Sequence, residues 1–156
     1  MLNKKKNYFL FIFSFFLILF VPINSSSNEV KRFLTLKNNE VNVRAGPSKE
    51  YPIKFVYKKK YLPLEILDKS EHWRKIKDFE NNSGWIHISQ LSKKKAAIII
   101  DEEVLMFNSP TVYSKPVVIL KKGRLVRVLK CKDYWCKTRL NGYKGWLKRK
   151  SLWGLL

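Results

Sequence analysis

Beyond residue 27 the apolar positions come in short runs, rich in Val, Ile, Leu, Phe and Trp. Polar clusters interrupt them every eight to twelve residues. That spacing predicts strands at 32–37, 41–44, 53–57, 64–68, 73–77 and 85–88, then at 104–107, 117–120, 125–129, 135–140 and 145–147. The breakers carry turn chemistry: Asn38-Asn39, Ala45-Gly46-Pro47-Ser48, Asn81-Asn82-Ser83-Gly84 and the hairpin dipeptide Asn141-Gly142. A helix over 64–79 meets no Gly or Pro, but its apolar residues do not recur at i, i+3, i+4 and i+7, so the strand assignment stands. Residues 89–91 predict one short helical turn, and 96–100 reads as a buried strand. The fold class is all-β.

The pattern is also duplicated. Residues 73–91, WRKIKDFENNSGWIHISQL, return at 135–152 as WCKTRLNGYKGWLKRKSL. Each has a leading Trp, a polar turn, a Gly-Trp pair and a closing Leu. Val41 to Pro47 likewise aligns with Val104 to Pro110, so the offset holds between 61 and 63 throughout. Two tandem domains follow, residues 28–92 and 93–156. A unit of about sixty residues buries only about 60% of its unfolded surface, so the two copies are expected to pack on each other.

Residues 1–27 stand apart. Lys4, Lys5 and Lys6 precede an apolar run over 8–23, broken only by Ser14 and Pro22, and Asn24 to Ser27 forms a small polar exit. This is the plan of a signal peptide, and its apolar run is shorter than the roughly 20 residues of a spanning helix. The expectation is cleavage near Ser27 and a periplasmic or secreted protein. Retention as an uncleaved membrane anchor is the alternative.

Charge adds a second asymmetry. The whole chain carries a formal +20, and residues beyond 27 hold 29 basic against 12 acidic side chains. Residues 33–91 have a net charge of +4. Residues 104–156 have 13 Lys and Arg against Asp133 alone. Such a face suits an anionic partner. Lys outnumbers Arg 25 to 7 and there are only three Ala, so a compositional bias spreading Lys over any solvated surface accounts for the same numbers.

The chemistry-bearing residues are few. Cys131 and Cys136 lack the His partners of a zinc site and the spacing of a redox C-x-x-C. They flank a turn-like tetrapeptide in a chain expected to be exported, which predicts a structural disulfide. His72 falls in a turn, and His87 alternates with Ile86 and Ile88 as a rim residue. No Ser-His-Asp, H-E-x-x-H or G-x-S-x-G arrangement occurs, and the glycines are isolated, so no enzyme, cofactor or metal site is expected. The five Trp are core or inter-copy packing, or in part a groove wall. Arg44, Tyr51, Tyr57, Tyr113 and Tyr134 form the candidate ligand groove. Arg44 either faces a ligand carboxylate or fixes its own loop through Glu40 or Glu65, and the loop role is preferred.

Asn42-Val43-Arg44-Ala45-Gly46-Pro47, the central Trp73, Gly84-Trp85-Ile86-His87 and Leu91 together resemble the bacterial SH3-like domain family. The second copy resembles it through Pro110, Trp135, Gly145-Trp146 and Ser151-Leu152, with Phe107 and Ser109 in place of the Arg and Gly. The resemblance implies two tandem small SH3-like barrels, strongly bent, of five to six strands each. Some relatives are targeting modules that hold an attached cell-wall hydrolase on peptidoglycan or its peptide stems. The expected function is therefore a non-catalytic, exported cell-envelope binding module for a wall peptide, an anionic glycan or a partner protein. The alternatives are a basic nucleic-acid-binding protein, which export disfavours, and a docking subunit for a separate cell-wall hydrolase.

Overall fold

The computed structural model describes residues 32–155; the signal segment expected over 1–27 lies outside them. The described chain is all-β, built as two seven-stranded antiparallel sheets. In the first, β1 (Arg32–Leu36), β2 (Val41–Arg44), β3 (Ile53–Tyr57), β4 (Pro63–Ser70), β5 (Trp73–Lys77), β6 (Ser83–His87) and β7 (Leu91–Ser92) lie in the order β3-β2-β6-β5-β4-β1-β7. The second contains β8 (Ala96–Ile99), β9 (Glu103–Phe107), β10 (Pro116–Lys121), β11 (Leu125–Lys132), β12 (Trp135–Leu140), β13 (Tyr143–Lys148) and β14 (Leu152–Trp153). Their order, β10-β9-β13-β12-β11-β8-β14, is the first order repeated strand for strand. Each sheet exceeds the five to six strands implied by the resemblance, because a two-residue segment after the last hairpin returns to pair with the opening strand. The expected helical turn is a single 3-10 turn, Ile88–Gln90, matched by Arg149–Ser151.

Local chemistry explains the bends. The long strands β4 and β11 each carry a bulge at the same place, between Ile66 and Asp68 and between Val128 and Lys130. A bulge increases local twist and lets one strand serve both sides of a small core. Glu71 and Asp133 take positive φ at the turns after these strands, as do Asn81 and Asn141 at the following hairpins. Asx side chains tolerate that conformation best. Gly84 is required for a different reason: a Cβ there would come within 2.4 Å of Val43 Cγ1 and 2.9 Å of the Arg44 carbonyl. Its counterpart Gly145 has Met106 and the Phe107 carbonyl equally close. The Gly of each Gly-Trp pair is thus the place where two strands cross in contact.

Each sheet curls around its own apolar centre. Leu36, Val43, Leu64, Ile76 and Ile86 fill the first, and Ile99, Met106, Val126, Cys136 and Leu147 the second. The two are not independent. Ile98 of β8 belongs to the first core, with Leu125 packed on it. Trp153 stands edge-on to Phe33 at 5.1 Å and tilted against Phe79 at 6.3 Å. The linker joins in, for the Thr35 hydroxyl donates to the Lys94 carbonyl at 2.8 Å and the Val128 amide donates to the Lys95 carbonyl at 3.0 Å. The barrels are welded along a seam.

Candidate functional site

The first barrel carries a cleft of about 390 Å³ between the β2–β3 loop and the start of the β5–β6 hairpin. Trp73 and His87 face each other across that hairpin and pack edge to face at 5.3 Å. Their pairing follows from the tight turn at residues 78–82, since strands counted outward from it bring 73 opposite 87. His87 Nδ1 accepts the Ser89 amide at 3.3 Å and lies 2.7 Å from the Ser89 hydroxyl, leaving Nε2 as the ring donor. Gln90 enters from the 3-10 turn, its Oε1 accepting from the Asn38 side-chain Nδ2 at 2.6 Å. Glu40, Asn42, Arg44 and Lys49 complete the wall.

Arg44 explains the loop motif. Its Nη1 donates to the carbonyls of Lys49 at 2.9 Å and Tyr51 at 2.7 Å, closing the turn that begins at Ala45. The loop role is therefore real, but its partners are main-chain oxygens rather than the carboxylates of Glu40 or Glu65. Glu65 lies on β4 and pairs with Lys77 at 3.1 Å. Gly46 leaves room for the Tyr51 ring, whose atoms lie 2.6 Å from where a Cβ would stand. Arg plus Gly at this spacing is a device for folding the loop back on itself.

Of the five residues expected to form the groove, only Arg44 lines the cleft. Tyr51 lies on the loop behind it. Tyr57 packs on the first core and donates its hydroxyl to Asp78 at 2.9 Å; burial, then that bond, pushes its pKa up. Tyr113 and Tyr134 belong to the second barrel and are 95% and 84% exposed on its turns. Trp73, one of the five Trp open to a groove wall, and His87, expected at the rim, both line the cleft, and Gln90 joins them with no such expectation attached. For Trp73 and His87 the signal is the hairpin register, which places alternate side chains of β5 and β6 on one face.

The second barrel has the same register and a different outcome. Trp135 pairs with Lys148 as Trp73 pairs with His87, and Phe107 pairs with Trp146 as Arg44 pairs with Trp85. Phe107 is only 9% exposed and packs edge-on to Trp135 at 5.7 Å. The position that is an open polar wall in the first barrel is an aromatic plug in the second. Cys131 and Cys136 face each other across β11 and β12 and form the predicted disulfide.

Sequence comparison agrees with this duplicated geometry. The model of the bacterial SH3 domain matches twice, over residues 37–93 and 101–154. The chain belongs to the bacterial SH3 domain family. Among solved structures, this tandem SH3 chain is similar to NlpC2 from Trichomonas vaginalis, with 14% identity, 81% of this chain and 49% of that one covered, and a TM-score of 0.37. NlpC1 from the same organism gives 16% identity, 82% and 47% coverage, and a TM-score of 0.37. An NlpC/P60 family protein from Bacillus cereus gives 12%, 78% and 55%, and a TM-score of 0.35. The chain spans about half the length of these solved chains. No curated protein matches it.

Proposed function

We propose that the protein is a non-catalytic, exported binding module of the cell envelope, and that the cleft of its first SH3 barrel receives a short wall peptide. The observation that carries this reading is the difference between the copies: one cleft open and polar, the other filled by Phe107. The open cleft offers the Trp73 and His87 rings, the amides of Asn42 and Gln90, the cations of Arg44 and Lys49, and the carboxylate of Glu40. A peptide with both an amine and a carboxylate finds a partner for each, and the rings cover its apolar stem. An anionic glycan would leave Glu40 facing like charge. Export rests on residues 1–27, and the mass of the native N-terminus tests it, with a start near Asn28 expected.

Pull-down with peptidoglycan sacculi across a salt series tests the binding. Wild-type protein is expected to be retained at moderate salt, and Lys49→Ala combined with Gln90→Ala to lower retention at least fivefold. Loss of both charges in Lys121→Ala with Lys122→Ala, in the second barrel and outside the cleft lining, is expected to leave retention unchanged. Absence of wild-type retention rules out the wall-peptide reading.

A further inference from the structure

A second cleft, also of about 390 Å³, runs along the seam between the barrels and exists only because they pack together. Lys93, Lys94 and Lys95 of the linker and Arg149 of the second 3-10 turn line it, and Phe33 and Leu155 supply apolar wall. No carboxylate is among the described lining residues, and among the described residues none of these four cations takes part in an ion pair. A Lys run between domains is ordinarily a solvated tether, and two observations separate this one from that case. First, its main chain is held from both sides, by Thr35 of the first barrel on the Lys94 carbonyl and by Val128 of the second on the Lys95 carbonyl. Second, the Arg149 amide is held by the Tyr134 carbonyl at 2.8 Å, on the turn closed by the Cys131–Cys136 disulfide, and Cys131 itself is in the cleft wall. The cationic side chains therefore start from fixed points, so ordering them on a ligand costs less entropy than on a free linker.

The basic surface continues past the cleft. The Tyr61 ring has Lys60, Lys94 and Arg127 within 5.1–5.7 Å of its centre, and Lys94 belongs to both groups. One carboxylate would leave most of these charges unmatched. A ligand with several closely spaced anions matches them, and Lys ammonium groups serve as point charges toward phosphate.

We propose that the seam is a binding site for closely spaced phosphate groups, distinct from and independent of the first-barrel cleft. Single-stranded nucleic acid fits less well. Such sites stack bases on free rings, whereas the one ring in this lining, Phe33, is engaged edge-on by Trp153.

The test compares the full chain with Lys93→Gln/Lys95→Gln/Arg149→Gln and with Lys115→Gln/Lys121→Gln/Lys122→Gln, which removes the same number of charges at and beside β10, outside the seam lining. All six positions are exposed, so both variants are expected to melt with the parent. Titration with linear polyphosphate is expected to show affinity falling at least tenfold in the seam variant and less than threefold in the other. The slope of log affinity against log salt should become shallower by about two in the seam variant alone, following counterion release. Vesicles of phosphatidylglycerol in phosphatidylcholine form the second arm. A seam-dependent gain over pure phosphatidylcholine places the phosphates on lipid, and a seam-dependent response to polyphosphate alone places them on a soluble polymer. Equal losses in both variants, equal binding of polyglutamate, or tighter binding of a single-stranded oligonucleotide would each overturn the proposal.

Discussion

Tyr57 and Asp78 meet at the edge of the first core, in a polar network that is fully satisfied. The Asp78 carboxylate is buried and accepts four hydrogen bonds: the amides of Glu80 and Asn82, the Asn82 side chain and the Tyr57 hydroxyl. It thereby fixes the tight turn between β5 and β6, the turn that sets Trp73 opposite His87. Burial and the neighbouring carboxylate make the Tyr57 hydroxyl hold its proton more tightly in the folded chain than in the unfolded one. A raised folded value means this stability is complete below about pH 10, where an unfolded Tyr titrates, and is lost as pH rises beyond it. Tyr57→Phe removes one bond to a charged acceptor and is expected to cost about 1–2 kcal/mol at neutral pH. It should also flatten the alkaline loss of stability, measured by urea denaturation between pH 7 and 11. An unchanged alkaline slope would show that another group governs it.

At the scale of elements, the hairpins decide what each barrel presents. The β5–β6 and β12–β13 hairpins have matching register, yet one ends on His87 and the other on Lys148, and they face Arg44 and Phe107 respectively. The β11–β12 hairpin has an added clamp in the Cys131–Cys136 bond, which closes a loop of sequence separation 5. A loop that short restricts the unfolded chain little, so reduction is expected to lower stability by only about 2 kcal/mol. Denaturation with and without reductant checks this, and far-UV circular dichroism should show the β-sheet signal intact in the reduced protein. Collapse of that signal would mean the bond holds more than its own hairpin.

Over the whole molecule, the seam joins two units that are small for independent folding. Ile98 completes the first core from the second sheet, and Trp153 is gripped by Phe33 and Phe79. The two barrels are expected to unfold in one cooperative transition. Trp153→Ala removes a half-buried ring and should destabilise that transition by about 2–4 kcal/mol. Fluorescence and circular dichroism followed together in guanidinium provide the check, and two separated transitions in the wild type would show that the barrels are energetically independent.

Sequence alone determined the all-β class, the duplication, the family and the disulfide pairing. Each of these rests on short-range signals: strand-length apolar runs, Asn and Gly at turns, Gly before Trp, and two Cys either side of a hairpin turn. Of the cleft, Arg44 was legible as a groove residue, Trp73 as one of the Trp open to a groove wall, and His87 as a rim residue. Tyr51, Tyr57, Tyr113 and Tyr134 share a chemistry, and chemistry does not say which face of which strand a ring occupies. Cleft and seam were decided by tertiary structure, because both are made by residues far apart in the chain. Hairpin register set Trp73 against His87, and Phe107 lodged on Trp135 where the first barrel has Arg44. The packing of one barrel on the other turned a lysine linker into the wall of a cleft. Side chains that meet only after the chain has folded leave no periodic trace along it.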